Sequence, residues 1–305
     1  MKKLLAVITA GCISTLALAQ QDPQFSQNMF NRLYVNPAYA GANEAICLHA
    51  LYRAQWVSYD GAPKTGVFGI DAPLLNNKVG VGLSIATDKI GFENTFQGKL
   101  AGNYKFNVGN GKLAAGVDFD FMQHKIDGSK FEPADPNIPD PSIPTGTVSG
   151  TAFDMGAGLY YQSEKLYIGA SASHILEQKV GLDNFDKEFK RNYYGMIGYS
   201  FDVTPAVELK PSVFVKSVTG NTTFDINLNA HFNNRFWIGA SYRNEDAIVA
   251  LIGMNITEKL RIGYSYDFTT SEIKKYSDGS HEIMLGYCFT VKKKMTPAIR
   301  NVRFL

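Results

Sequence analysis

The feature that most constrains this chain is an alternation of apolar with polar or small side chains over residues 46–289. Phe224 and Ile226, for example, interleave with Asp225 and Asn227. Successive side chains of a β-strand point to opposite faces, so each alternating stretch has one apolar and one polar face. A soluble sandwich buries the apolar face, whereas a membrane barrel turns it toward lipid. The alternation alone leaves both architectures open.

The connections between the alternating stretches separate these two architectures. We predict about fourteen strands, near residues 46–56, 65–73, 78–88, 94–106, 111–123, 151–162, 166–174, 191–201, 206–217, 222–232, 236–242, 247–256, 260–268 and 281–289. Connections after even-numbered strands are tight turns. Those after odd-numbered strands are mostly longer, at 57–64, 89–93, 124–150, 175–190 and 269–280, with shorter ones near 218–221 and 243–246. Tight turns at one end and variable loops at the other are typical of outer-membrane barrels, whose turns are periplasmic.

The sequence therefore predicts an all-β fold, a transmembrane antiparallel β-barrel of about 14 strands over residues 46–290. An even strand number returns both ends of the chain to the periplasm. A soluble secreted β-protein is the alternative, which the sorting of loop lengths disfavours. An apolar content of 45% and a mean hydropathy of −0.13 are too polar for a helical membrane protein. The 16 Tyr and 20 Phe are enough for girdles in contact with outer-membrane lipid.

Residues 1–19 have the features of a secretory signal peptide. A positively charged start, an apolar stretch over 4–16 and the small-x-small pattern of residues 17–19 fit that class of segment. A rival reading takes Cys12 as a lipoprotein cysteine, but the usual aliphatic residue three positions earlier is missing. We expect cleavage that leaves Gln20 first, and a location in the outer membrane of a Gram-negative cell.

Nothing in the sequence predicts an enzyme, a metal site or a cofactor. The five histidines lie in different segments without metal-ligand spacing, and no nucleophile or phosphate-loop motif occurs. Asp118 and Asp120 lie on one face of a strand, but inward-facing Arg53 and Lys99 point to a salt-bridged lumen instead. The formal charge of +2 shows no basic excess, so no nucleic-acid partner is expected.

Two cysteines remain after the signal peptide is removed. Cys47 and Cys288 lie on the first and last predicted strands, which a closed barrel must pair. A disulfide across this seam is possible in an oxidising compartment. We expect two free thiols, because adjacent antiparallel strands seldom give good disulfide geometry.

Two segments outside the predicted barrel differ from it in composition. Residues 20–45 are rich in Asn, Gln and aromatics and lack alternation, which predicts a periplasmic segment or a plug folded into the lumen. Residues 291–305 form a basic tail that is either solvated or in contact with a periplasmic partner. The candidate partner-contact residues there are Lys292, Lys293, Lys294, Arg300 and Arg303.

Two motifs near the start of the mature chain carry a family resemblance. The first is Asp22-Pro23-Gln24-Phe25-Ser26-Gln27-Asn28-Met29-Phe30-Asn31, followed by Asn36-Pro37-Ala38-Tyr39-Ala40-Gly41. The second is Tyr52-Arg53-Ala54-Gln55-Trp56, followed by Gly61-Ala62-Pro63-Lys64-Thr65. Together they resemble the PorP/SprF family, and the similarity extends over the mature chain. One departure is Tyr59-Asp60, where a glycine-containing turn is expected.

The resemblance implies an outer-membrane barrel of the type IX secretion and gliding machinery of Bacteroidota. Such proteins serve secretion itself or the export and surface retention of a particular large adhesin. The resemblance implies no catalysis and no cofactor. The implied partners are periplasmic components of the machinery and a secreted surface protein.

The motif residues also have physical roles that can be predicted. Pro37 disfavours helix at Asn36, and Gly41 permits a tight reversal before strand one. Arg53 and Gln55 are predicted to point inward and anchor the plug. The alternation places Trp56 outward near the extracellular rim. The remaining candidate motif residues are Tyr39, Gly61 and Pro63. The alternative is that all of these residues only build the barrel.

Two functional classes remain open from sequence. The first is an interaction protein, a plugged barrel that contacts the secretion machinery on its periplasmic side and a secreted protein on its extracellular side. The second is a porin or a transporter of the fatty-acid-channel type, whose lumen conducts a solute. The proline-rich loop 124–150 is either a docking surface or a loop without a binding role. A mixed-charge lumen and an insertable lead segment favour the first class.

Overall fold

The barrel is built from antiparallel strands that each pair with their sequence neighbours. The computed structural model describes residues 22–130, 144, 146–182 and 185–289. The strands are β1 Ile46–Ala54, β2 Lys64–Leu74, β3 Val79–Ile90, β4 Glu93–Val108, β5 Gly111–Asp127, β6 Thr147–Gln162, β7 Leu166–Ser173, β8 Lys179–Leu182, β9 Phe185–Glu188, β10 Asn192–Tyr199, β11 Phe201–Thr204, β12 Val207–Val218, β13 Asn221–Phe232, β14 Phe236–Arg243, β15 Ala247–Asn255, β16 Leu260–Thr269 and β17 Ser280–Phe289.

The sheet closes because β1 pairs with β17 along its whole length, from Ile46 opposite Phe289 to Ala54 opposite His281. β10 pairs with both β7 and β12, and β11 continues β10 beyond Ser200 along the edge of β12. β8 and β9 form a separate hairpin. The predicted fourteen-stranded antiparallel barrel is therefore confirmed.

The faces of the strands are those of a membrane barrel. On β5 and its neighbours, Phe119 and Leu100 are 59% exposed on the outside. Lys99, Asp118 and Asp120, which alternate with them, are buried on the inside. The apolar residues thus point outward and the charged ones inward, which is the order expected for a barrel in lipid. Among the described residues, no helix is long and apolar enough to span a membrane.

Several predicted strand boundaries were wrong. The predicted loop 124–150 is shorter, because β5 and β6 continue to pair as far as Asp127 opposite Thr147. The predicted loop 89–93 shrinks to a two-residue connection between β3 and β4. In both places polar residues continue the hydrogen-bonded pairing above the apolar band. The predicted signal peptide, the proline-rich positions 131–143 and the predicted tail 291–305 lie outside the described residues.

The two cysteines do not remain as free thiols. Cys47 and Cys288 form a disulfide between directly opposed positions of β1 and β17. Their Cα atoms are 4.1 Å apart, close to the short spacing of a non-hydrogen-bonded antiparallel pair. The expectation of free thiols was wrong because it relied on the geometry of an average pair of adjacent antiparallel strands, whereas these two positions lie unusually close together. The bond links the first and last strands near the short-turn end.

The core of the molecule lies inside the barrel, between its wall and residues 22–45. Phe25, Tyr34, Val35 and Ala38 from this segment pack on a cluster of wall residues. Those wall residues are Leu51, Val67, Ala86, Ala114, Tyr160, Tyr194 and Met196. Burial of these apolar groups against the wall stabilises the segment in the lumen. We call residues 22–45 the lumen segment.

Candidate functional site

The lumen segment is a chain of short turns rather than a long helix. It contains a 3₁₀ turn Asn28–Phe30, a single α-helical turn α1 Arg32–Val35 and a second 3₁₀ turn Pro37–Tyr39. Asn36 ends α1 in an extended conformation and caps the next turn, since its Oδ1 accepts a hydrogen bond from Ala38 N at 2.9 Å. This follows from Pro37, which disfavours helix at the residue before it.

Gly41 reverses the chain at the lower end of the lumen segment. Its φ is +65°, a left-handed conformation that glycine adopts without strain. Its N–H donates to the Asp71 carboxylate at 2.7 Å, and its carbonyl accepts from Lys105 Nζ. The reversal brings the chain to the start of β1. Tyr39 packs edge-on against Tyr160 just before this turn.

A buried charge network holds residues 25–28 of the lumen segment to β1, β13, β14, β16 and β17. Arg53 Nη2 lies 2.8 Å from Asp267, and its Nη1 lies 3.3 Å from Glu282 and 2.8 Å from the Ser26 hydroxyl. The Glu282 carboxylate accepts the backbone N–H groups of Ser26 and Gln27, both at 2.8 Å. Arg53 is 1% exposed and Glu282 is fully buried. Each ion is thus also bonded to the segment.

Arg243 extends the same network to Asp225 on β13. It contacts the carboxylates of Asp225 and Asp267, both at 3.0 Å, and donates to the Phe25 carbonyl at 3.1 Å. Asn28 of the segment donates to Asp225 at 2.9 Å. Paired and hydrogen-bonded ions of this kind offset the cost of removing them from water. Removing one partner leaves the others buried without compensation.

Polar wall residues also donate hydrogen bonds to backbone carbonyls of the lumen segment. Asn103 Nδ2 donates to the carbonyls of Pro37, Ala38 and Ala40, at 3.2, 3.0 and 2.8 Å. Ser171 donates to the Val35 carbonyl at 2.6 Å. An unpaired buried carbonyl is costly, so this wall is chemically complementary to the segment.

Glycines make the wall complementary in shape as well. A Cβ added at Gly80 would overlap the Ala40 carbonyl oxygen, and one added at Gly158 would overlap the Asn36 side chain. The further inward-facing glycines in contact with the segment are Gly82, Gly116 and Gly263. The backbone of the segment therefore approaches the wall at points where only glycine leaves room.

Asp22 anchors the start of the segment near the long-loop end of the barrel. Its carboxylate lies 2.9 Å from His174 Nε2 and accepts from Tyr194 at 2.6 Å. Burial alone would raise the pKa of Asp22, but the charge and hydrogen bond of His174 outweigh it and lower the pKa well below its usual range. Burial would lower the pKa of His174, and Asp22 outweighs it and raises that pKa. The two groups form an ion pair.

The direction of the segment follows from its ends. Asp22 contacts His174, which follows the long-loop end of β7, whereas Glu44 pairs with Lys112 near the short-turn end of β5. The chain therefore runs through the lumen from the long-loop end to the short-turn end, where β1 begins.

Two cavities remain at the short-turn end. One has a volume of about 790 Å³ and is bounded by the β4–β5 turn, the β6–β7 turn and residues 38–44. The other, of about 230 Å³, lies between residues 29–43 and the strands β7, β12, β13 and β16. Residues Asn43 and Gln162 border both. Within the described ranges, no group of three or more His, Cys, Asp or Glu side chains is placed to hold a metal ion.

The structure brings only part of the predicted motif to the lumen segment. Asn36, Pro37, Tyr39 and Gly41 belong to the segment itself, and Arg53 contacts it. Gln55 lies beyond the end of β1 at Ala54. Its backbone N–H instead donates to the Pro63 carbonyl at 3.0 Å in the β1–β2 loop.

Trp56 also lies beyond the end of β1. It lies in the β1–β2 loop with a φ of +48°, is half-buried, and its backbone N–H donates to Ser280 Oγ at 3.0 Å. The alternation was extended two residues too far. Gly61 has a φ of +74°, and its carbonyl accepts from Gly91 N at 2.8 Å, which joins this loop to the β3–β4 turn. The predicted contact residues of the tail lie outside the described residues.

Sequence reasoning missed most members of the charge network around Arg53. Arg243, Asp225, Asp267 and Glu282 were not singled out, although the alternation places Asp225, Asp267 and Glu282 on the polar face. The inward charges on β13, β14, β16 and β17 were the available signal. Their grouping depends on strand stagger, which the alternation does not give.

An apolar outer face, an occupied and charged lumen and fourteen closed strands define an outer-membrane barrel protein. Solved structures share this fold at low sequence identity. The Ralstonia pickettii toluene transporter TbuX is 11% identical, with 84% of this chain and 92% of that chain covered at a TM-score of 0.50. The P. putida toluene transporter TodX is 9% identical, with 86% and 94% covered at a TM-score of 0.50. No curated protein matches the sequence.

The family is given by a match over most of the chain. The model of the type IX secretion system membrane proteins PorP/SprF matches residues 17–287, and the chain belongs to this family. It is therefore a membrane component of a secretion system, placed in the outer membrane and in contact with other components of that machinery. This is not a family of enzymes.

Proposed function

We propose that this protein aids the export or surface attachment of a secreted protein, such as an adhesin, by binding and not by solute conduction. The observation that carries the proposal is the lumen segment, which runs through the barrel interior and is held by Arg53, Arg243 and their carboxylates. A conducting channel needs an open path through these groups. Here the path is occupied by covalently attached chain that is bonded to the wall on several sides.

Two surfaces remain for partners in this proposal. The loops of the long-loop end, including the β8–β9 hairpin and residues 270–279, lie on the extracellular side and contact the secreted protein. The basic tail, with Lys292, Lys293, Lys294, Arg300 and Arg303, contacts periplasmic components of the machinery. Signal peptide cleavage after Ala19 belongs to the same proposal, since a secreted barrel reaches the outer membrane through the periplasm.

Deletion of the gene tests the functional class. We expect one or more secreted proteins to disappear from the cell surface, as measured by surface proteomics, while uptake of small solutes stays normal. The purified barrel should show no steady ion conductance in planar bilayers. Complementation with the wild-type gene is the control. A deletion strain with a full surface proteome and a lost nutrient uptake would favour the transporter function instead.

A truncation tests the role of the tail. A chain that ends after Thr290 should still assemble as a barrel but should be recovered with less of the periplasmic apparatus in pull-downs. Recovery equal to that of the full chain would remove the tail from the proposal without affecting the barrel's role.

A further inference from the structure

The smaller cavity at the short-turn end contains two arginines that the lumen network does not use. Arg32 comes from α1 and Arg261 from β16, and both line the cavity of about 230 Å³. Because the short-turn end is periplasmic in this class of barrel, the cavity faces the periplasm.

Among the described residues, neither arginine forms a salt bridge, although the charge of Asp71 is close enough to Arg261 to interact with it. Arg32 donates to the Tyr160 hydroxyl at 2.9 Å, its guanidinium stacks 3.7 Å from the centre of the Tyr167 ring, and its Nε is buried without a partner. Arg261 lies 5.7 Å from the centre of the Phe30 ring and 3.8 Å from Cys288 Sγ. Arg53 and Arg243, by contrast, are each paired with two or more carboxylates.

The other charged groups of the cavity are mostly paired. Lys210 lies 2.9 Å from Glu208, and Lys165 lies 2.8 Å from Asp202. Glu164 is the carboxylate among the cavity's lining residues. The cavity therefore has a positive excess that comes mainly from the two arginines.

The chemistry of this cavity suits a carboxylate on a peptide. Guanidinium groups bind carboxylates through two parallel hydrogen bonds, and two of them around one cavity select for such a group. The rings of Phe30, Tyr39 and Tyr167 border the same space, and they can pack against a neighbouring apolar or aromatic side chain. The adjoining cavity of about 790 Å³ has room for more of the peptide.

We propose that the periplasmic mouth of the barrel binds an acidic peptide segment of a partner protein, whose carboxylates are bound by Arg32 and Arg261. The partner class rests on the proposed function, since a secretion component meets polypeptides in the periplasm. The chain's own tail is a poor occupant, because it carries five cations and the cavity is already positive.

The test uses the purified full-length protein in detergent and a short fluorescein-labelled peptide of Asp, Glu and Tyr. Its matched control has Asn and Gln in place of the acids. Fluorescence anisotropy should show the acidic peptide binding at least about tenfold more tightly than the neutral one. Arg261→Gln and Arg32→Gln should each remove most of this preference. Arg235→Gln, an exposed arginine in the β13–β14 turn, should not.

Arg261 belongs to the wall, so its variant keeps the test informative if Arg32→Gln loosens the lumen segment. Equal affinity for the two peptides, or a preference that survives Arg261→Gln, overturns the proposal. Tighter peptide binding after truncation at Thr290 would assign the cavity to the tail and also overturn it. A failed peptide test combined with a depleted surface proteome would leave the proposed function standing without this site.

Discussion

Arg53 shows how a single side chain connects the wall to the lumen segment. Its guanidinium contacts the carboxylates of Asp267 and Glu282 and the hydroxyl of Ser26 at the same time. A surface pair of this kind would contribute little. In a buried position the same contacts matter, because each remaining carboxylate would be left without its counter-ion.

Replacement of Arg53 should therefore loosen the segment. Arg53→Ala leaves Glu282 and Asp267 short of a cation, at a cost of about 3–5 kcal/mol. We expect faster hydrogen exchange and proteolysis within residues 22–44, while the barrel stays folded. Lys64→Ala, at an exposed position of β2, is the matched control and should change neither. Unchanged protection of residues 22–44 in Arg53→Ala would contradict this role.

The pair of Asp22 and His174 gives the segment a pH dependence. Asp120 and Asp154 lie 3.8 and 3.9 Å from His174 Nδ1, Lys99 is nearby, and the Phe189 ring packs against the imidazole. The raised pKa of His174 means that its contribution is complete below its unfolded pKa and is lost as pH rises through the folded pKa. The lowered pKa of Asp22 means that its contribution holds above its unfolded pKa and is lost on acidification.

Protection of the start of the segment should accordingly decline as pH rises from about 6.5. We expect hydrogen exchange around residues 22–26, corrected for intrinsic rates, to increase over that range. In His174→Gln the imidazolium is absent at every pH, so protection should be lower and should no longer fall with rising pH. An identical pH profile in the two proteins would count against the ion pair.

At the scale of elements, β3 and β4 show that one face of a strand contacts the lumen segment while the other faces lipid. Inward positions of these strands carry Gly80 and Asn103, which fit the backbone of the segment, and outward positions carry Tyr104 and Leu83 toward lipid. A strand can serve two environments because its side chains alternate. The segment therefore constrains one face and the membrane the other.

Two glycines on these strands offer a matched pair of substitutions. Gly80→Val places a branched side chain where the Ala40 backbone lies, so the segment must shift. Gly102→Val adds the same atoms at a position with no other atom within 4 Å of the new Cβ. We expect Gly80→Val to increase protease cleavage within residues 22–45 and Gly102→Val to leave it unchanged. Equal behaviour of the two variants would mean that the segment does not depend on this fit.

At the scale of the whole molecule, the difference in loop length between the two ends of the barrel indicates its orientation in the membrane. The long connections, including 174–191 and 270–279, lie at one end, and the turns 109–110 and 233–235 lie at the other. The disulfide between Cys47 and Cys288 closes the seam near the second end. In this class of barrel, that end faces the periplasm.

Cysteine labelling tests this orientation. Lys274→Cys lies in the exposed turn Glu272–Lys275 of the long-loop end, and Glu258→Cys lies in the exposed β15–β16 turn. A membrane-impermeant maleimide should label Lys274→Cys on intact cells and Glu258→Cys only after the outer membrane is permeabilised. Labelling of Glu258→Cys on intact cells would reverse the topology.

The period of two and the placement of turns were sufficient to predict the barrel from sequence. Both are local properties: a residue's parity along its strand decides which face it occupies, and the turn residues decide where strands end. Phe119 and Asp118 follow that parity. The resemblance carried by residues 22–41 also indicated the family that the match over residues 17–287 confirms.

Which inward-facing residues meet was decided only by the tertiary structure. Arg53 joins Asp267 and Glu282 from the far end of the chain, and Gly80 faces Ala40, because closure and strand stagger set their heights in the barrel. Parity gives a side chain its face but no height. For the same reason the disulfide and the loop positions of Gln55 and Trp56 could not be read from the alternation. They depend on the register of β1 with β17 and on where the pairing stops.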